Sequence, residues 1–183
     1  RKVRTRSPSA RPTARPGAKV LDVGCGTGVV ARHVAPIVGV GGKVVAVDIN
    51  LAMLEVGRAQ PIPPGAEIDW RQCDASALSL SDGTFDLVFC QQGLQFFSDR
   101  PAGLREMRRV LAADGHLALS VWRSLEHHPV YEALFHAIAQ RLPVQWIGQI
   151  KLDPCLRNDL AVSFAGNSAT GINRSRIAVR VLQ

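Results

Sequence analysis

Seven residues constrain this chain more than any other stretch. Asp22-Val23-Gly24-Cys25-Gly26-Thr27-Gly28 follows the short apolar run KVL and leads directly into the helical pattern VVARHVAPIV. Glycine has no Cβ, so it takes positive φ readily and lets a ligand approach the backbone, while the first N–H groups of the next helix stay available. A strand, a tight turn and a helix in that order predict the opening of a βαβ unit whose turn receives a nucleoside cofactor.

The cofactor is not expected to be a dinucleotide. That fingerprint requires a third glycine where this chain has Val29, and its third glycine comes one residue early, at Gly28. Asp22 would also set a carboxylate beside a pyrophosphate, whereas a ligand with a cationic amine suits the same charge.

The strand and helix pattern then repeats. GKVVAVDIN reads as a second buried strand, LAMLEVGRAQ as a helix and PIPPGA as a breaker. AEIDWRQCDA is a third, less apolar strand, and FDLVFCQQGL is a fourth with a continuously buried core. Asp99 or Ser98 caps a helix over residues 101–111, with Leu104, Met107, Val110 and Leu111 on its apolar face and Arg105, Arg108 and Arg109 solvated. AADGHLALSVW gives a glycine turn and a fifth strand. Within GVVARHVAPIV, Pro36 marks a boundary or kink. Beyond Trp122, PVYEALFHAIAQRL reads as an amphipathic helix, and AVSFAG and RIAVRVL as two last strands. The expected fold class is α/β: a Rossmann-like open, mostly parallel sheet with helices on both faces.

With 183 residues, 46% of them hydrophobic, the chain holds one core of ordinary size. Its net charge of +7 is confined to one end, since seven of the 22 basic residues precede Asp22 and the remaining 15 balance the 15 acids. Residues 1–18, mixing Arg, Ser, Thr and Pro, are expected to be a flexible basic arm. A nucleic-acid partner is therefore not expected. No apolar run is long enough to span a membrane and the first residues lack the apolar stretch of a secretory signal, so a soluble, cytoplasmic protein is expected. The four cysteines show no metal-ligand spacing, so no metal is expected and the thiols read as reduced.

Ligands bind outside the carboxyl ends of strands in such sheets. Asp48 ends the second strand, where an acidic side chain accepts the hydroxyls of a ribose. Asp74 ends the third, and Cys90-Gln91-Gln92 ends the fourth, so four strand ends converge on one site.

In order and spacing, VLDVGCGTG, AVDIN, CDA, FDLVFCQQGLQFF and REMRRVLAADGHLALSVW together resemble the class I S-adenosylmethionine-dependent methyltransferases. The likeness covers about residues 17 to 123 and is greatest to the small-molecule group related to ubiquinone and menaquinone methyltransferases. The resemblance implies S-adenosylmethionine as cofactor. It implies that Gly24, Cys25 and Gly26 line the methionine part, with Asp22 near its amino group, and that Asp48 binds the ribose. Ile49 and Met53 correspond to apolar adenine contacts, Asp74 and Ala75 to the pair beside the adenine N6 edge, and Gln91 and Gln92 to the turn from cofactor toward acceptor, with backbone contacts to the cofactor, Gln91 counted among its binding residues, and side chains toward the acceptor. Residues 19–183 then form a single methyltransferase domain, of which 124–183 match the family poorly.

The reaction implied is transfer of a methyl group to a small-molecule acceptor by in-line displacement, which asks the protein to align donor and nucleophile and exclude water. For a carbon acceptor a proton must also leave; His127 and His128, just after the fifth strand, are candidate general bases by type, with exposed loop positions as their other reading. Two further readings stand beside this one: an RNA or protein methyltransferase using the basic arm, and a cofactor-binding, inactive partner subunit. The sequence leaves room for an oligomer without a local pattern that demonstrates one.

Overall fold

The computed structural model describes residues 14–122 and 176–182, together with Val130 and Ala133. Contacts divide the chain into two units, Arg1–Leu119 with Asn173–Val179 and Ser120–Ile172 with Arg180–Gln183. The first carries the candidate site. Of the second, only Ser120, Val121, Trp122, Val130, Ala133 and the last three residues of the final strand are described.

The described elements run β1 (Lys19–Val23), α1 (Val29–Val38), β2 (Lys43–Asp48), α2 (Leu51–Ala59), β3 (Ile68–Gln72), β4 (Phe85–Gln91), a 3-10 turn (Leu94–Phe96), α3 (Arg100–Val110), β5 (Leu111–Trp122) and β6 (Arg176–Leu182). The sheet order is β3-β2-β1-β4-β5-β6. β1 pairs in parallel with β2, Asp22 opposite Ala46, and with β4, Asp22 opposite Phe89; β2 pairs in parallel with β3, Asp48 opposite Gln72. This is the α/β Rossmann-like sheet flanked by helices that the alternation predicts.

The central strands are apolar on both faces because both are covered. Val20, Leu21, Val23, Val44, Val45, Ala46 and Val47 are all buried. α1 seals one core with Ala31, Val34, Ala35 and Val38, a spacing that puts all four on one helical face. The chain departs from β1 toward β2 on one side and reaches β4 on the other, so the strand order reverses between β1 and β4 and opens a crevice at their carboxyl ends.

Local signals explain the helix boundaries. Asn50 caps α2 by accepting from Ala52 N (3.0 Å) and Met53 N (3.4 Å), and Asp99 caps α3 by accepting from Ala102 N (2.8 Å). Pro36 lies inside the last turn of α1, which ends two residues later at Val38.

Several expectations shift. The end of the predicted arm belongs to the fold: Gly17 N donates to Val38 O (2.8 Å) and Ala14 packs against the core. β5 starts at Leu111 and runs through Gly115 without a glycine turn, because that glycine sits against the Phe85 carbonyl, where a Cβ would come within 2.9 Å. Arg109 is not a solvated helix residue. It donates to the Leu78 and Leu80 carbonyls and pairs with Glu106 and Asp82, tying α3 to the loop before β4. RIAVRVL forms β6, whereas AVSFAG lies outside the described residues. Of the predicted helix after Trp122, only Val130 and Ala133 are described, both helical.

Candidate cofactor site

The glycine turn is built by three left-handed residues in alternation: Gly24 at φ 66°, Gly26 at φ 55° and Gly28 at φ 79°. An L side chain at such angles crowds its own carbonyl, which is why the sequence repeats glycine here. The turn is fastened to β2 next door. Gly24 N and Cys25 N both donate to the Val47 carbonyl (2.9 and 3.0 Å). Gly26 N donates to Asp48 Oδ2 (2.8 Å), and the other oxygen of Asp48 accepts from Asn50 N (2.8 Å). One carboxylate thus fixes the turn after β1 and the entry to α2 together.

Gly26 also leaves space. A Cβ placed there would meet nothing within 4 Å, so the turn presents bare backbone to an open cradle. A ligand that needs close backbone approach on one side and a hydroxyl acceptor on the other, in Asp48, fits this arrangement.

Asp22 lies beneath the turn. It is buried, and its Oδ2 accepts from Ala31 N (3.1 Å) in the first turn of α1. Burial pushes its carboxyl up to about 7, opposed by the Ala31 N–H and helped by the negative charge of Asp48. Cys25 is buried as well, and burial with Asp22 and Asp48 nearby raises its thiol far above the usual range. A thiol so protonated is a small packing group and not a nucleophile.

Around Asp48 the surface is apolar. Ile49 is 65% exposed and Met53 is 45% exposed, two apolar side chains open to solvent beside the carboxylate. Gln72 Nε2 donates to the Ile49 carbonyl (3.1 Å), and Cys73 N donates to the Asp48 carbonyl (3.0 Å), which binds the end of β3 to the same corner. Asp74 follows at that edge, its carboxylate accepting from the Ser76 N–H and hydroxyl (2.8 Å each), which hold its carboxyl below the usual range; Ala75 beside it is buried.

On the other side of the crevice β4 ends at Gln91, which is exposed. Gln92 then takes φ 55°, the one left-handed residue other than glycine among those described. Gly93 follows in close approach to Gly24, and the ring of Phe97 packs against both Gly24 and Gly103. His127 and His128 lie outside the described residues.

The sequence pattern did not reveal three members of this neighbourhood. Gly93 and Phe97 stand within FDLVFCQQGLQFF but have no role of their own assigned there, and their role follows from the meeting of two loops. Trp70, midway along β3, reaches the start of α1, a contact set by the β2–β3 register. Among the described residues no group of acidic, histidine or cysteine side chains is arranged to hold a metal, and no helix is long and apolar enough to cross a membrane.

Comparison with known proteins agrees with this geometry. The family model described as a methyltransferase domain matches residues 20–115. A ubiquinone/menaquinone biosynthesis C-methyltransferase of Stenotrophomonas maltophilia is 47% identical over 103 residues, covering 55% of this chain and 41% of that protein. The chain spans about half the length of the curated relatives it matches. Among solved structures, a SAM-dependent methyltransferase from Aquifex aeolicus superposes with a TM-score of 0.55 at 25% identity, covering 61% of this chain and 60% of that one. An arsenic(III) S-adenosylmethionine methyltransferase from Chlamydomonas reinhardtii gives a TM-score of 0.55 at 30% identity, covering 66% and 46%.

Proposed function

The chain belongs to the methyltransferase-domain family, and from that premise we propose that it transfers a methyl group from S-adenosylmethionine to a small-molecule acceptor. The observation that carries this reading is the 2.8 Å hydrogen bond from Gly26 N to Asp48 Oδ2, which joins a bare glycine turn to a strand-end acid. The turn receives the amino-acid end of the cofactor and Asp48 accepts from the ribose hydroxyls. Ile49 and Met53 cover the adenine, with Asp74 and Ala75 along its edge.

The cofactor, when bound, supplies an electrophilic methyl on a sulfonium, so no enzyme nucleophile is needed. What the chain's own residues contribute is alignment: the turn and Asp48 hold the donor at the carboxyl ends of β1 and β2, and Gln91 and Gln92 face the acceptor across the crevice. For a carbon acceptor, His127 and His128 are the proposed general bases. Replacing both with Gln is expected to abolish turnover while S-adenosylhomocysteine affinity stays; unchanged turnover would remove them from the mechanism.

A small-molecule acceptor is supported by the likeness to the Stenotrophomonas maltophilia protein, described as a ubiquinone/menaquinone biosynthesis C-methyltransferase. A cytoplasmic location is supported by the free thiols of Cys25, Cys73 and Cys90, which persist in a reducing compartment. The direct test is calorimetric titration with S-adenosylhomocysteine. Binding by the wild-type chain and a loss of about ten- to a hundredfold in Asp48→Ala is expected, the scale of a severed charge-assisted hydrogen bond. An absence of wild-type binding would defeat the proposal.

A further inference from the structure

The two ends of the candidate site are carried by different elements. The glycine turn runs into α1 at Gly28, and Asp48 runs through its Asn50 cap into α2. Something must fix the span between them, because a ligand that holds both ends gains affinity only when both stand at the right separation.

Trp70 of β3 is placed to do this. The outer edge of its six-membered ring meets both glycines: a Cβ on Gly28 would overlap it, and a Cβ on Gly57 of α2 would come within 2.8 Å of it and 3.1 Å of the Thr27 carbonyl. The residue that caps α1 and the last turn of α2 thus rest against the same ring edge, so the size of the indole bears on how far apart the two helices stand here.

Arg32 locks that arrangement. It is one helical turn into α1, where its own N–H donates to the Gly28 carbonyl (3.0 Å). Its guanidinium carbon stands 5.6 Å from the Trp70 ring centroid, within range of cation–π attraction. The same guanidinium donates to the Gly57 carbonyl and to the Pro61 carbonyl (2.8 Å), so a residue of α1 grips the end of α2. From α2, Arg58 donates to the Trp70 carbonyl (2.9 Å). The indole is therefore held by its backbone, by the cation over its ring and by the two glycines against its outer edge.

We propose that Trp70, clamped by Arg32, is a positioning residue that sets the span between the amino-acid end and the nucleoside end of the cofactor site, and so sets how much tighter the whole cofactor binds than its nucleoside fragment. The role rests on the cofactor reading given above. Trp70 acts through Gly28 and Gly57 and touches no ligand itself. Loosening the spacer leaves Asp48 in place, because β2 is paired on both sides and Asp48 itself stands opposite Gln72.

The experiment compares S-adenosylhomocysteine, which engages both ends, with 5′-methylthioadenosine, which lacks the amino-acid end. Both are titrated calorimetrically into the full wild-type chain, Trp70→Leu and Arg32→Gln, with thermal melting to verify folding. Trp70→Leu is expected to weaken S-adenosylhomocysteine about tenfold, and Arg32→Gln about threefold, with 5′-methylthioadenosine within about twofold of wild type in each. Arg32→Gln keeps the indole and carries the test if Trp70→Leu does not fold. Unchanged S-adenosylhomocysteine affinity, or equal weakening of the two compounds, overturns the spacer role alone. A wild-type chain that binds neither compound overturns the methyltransferase reading, and the spacer role with it.

Discussion

Gly24 and Gly93 meet where β1 and β4 end: a Cβ on Gly24 would stand 3.2 Å from the Gly93 Cα, and one on Gly93 would stand 3.1 Å from Cys90 Sγ and 3.3 Å from the Val23 carbonyl. The crevice of the sheet is closed at its base by two bare backbones in contact. Gly24 and Gly26 are therefore glycines for different reasons, one for packing against a neighbouring loop and one for the open cradle above the turn.

That difference separates two substitutions. Gly24→Ala forces a left-handed alanine and a displaced loop, and is expected to cost about 2 kcal/mol of stability, read by denaturant unfolding. Gly26→Ala carries only the backbone cost, about 1 kcal/mol, since its Cβ meets nothing. Under the proposed cofactor reading its methyl group enters the open space above the turn, so its S-adenosylhomocysteine affinity should fall tenfold or more. Intact binding in Gly26→Ala would show that the cradle is not used.

Asp22 gives a pH signature. Its folded carboxyl holds a proton up to about 7 against an ordinary 3.8, so the folded state binds more protons than the unfolded state in that window. Its contribution is full below about pH 4, declines as pH rises to about 7 and is level above. Asp22→Asn keeps an oxygen for the Ala31 N–H and removes the titration. Measured by unfolding from pH 4 to 8, the variant should gain on wild type by an amount on the order of a few kcal/mol. Parallel profiles would refute the assignment.

Gln92 stores strain at the end of β4, with φ 55° and no glycine to absorb it. Gln92→Gly should raise stability by about 0.5–1 kcal/mol while leaving S-adenosylhomocysteine affinity within twofold. A lower melting temperature in this variant would mean that its side chain supplies more than the strain costs.

Arg109 fixes a loop away from the cofactor. Arg109→Ala removes donors to the Leu78 and Leu80 carbonyls and the partner of Glu106, and is expected to cost about 1–3 kcal/mol. Lysine should restore little, since an ammonium has no fork to span several acceptors. Cofactor affinity should not change, which calorimetry on the same samples would verify.

Much of this was legible along the chain. The alternation of apolar runs and helical patterns located β1 through β4 and α1 through α3, because a strand buried on both faces leaves a continuous apolar word that local composition cannot hide. Asp99 read as a cap because capping needs only its own neighbours. Arg109 was misread for the complementary reason. Helical periodicity puts it on an outer face, and the carbonyls it binds come from a loop some thirty residues earlier.

The sequence by itself determined that a glycine turn follows β1 and that acids stand at the ends of later strands, since turn chemistry and strand termini are local properties. Only the tertiary structure decided that Asp48 turns its carboxylate to Gly26 N, that Asp22 is buried beneath α1, and that Gly28 and Gly57 both face the edge of the Trp70 ring, where a Cβ on either would collide. Those facts depend on parallel strand register and on the reach of one large side chain, which are fixed by packing across the sheet and leave no periodic trace in the order of residues.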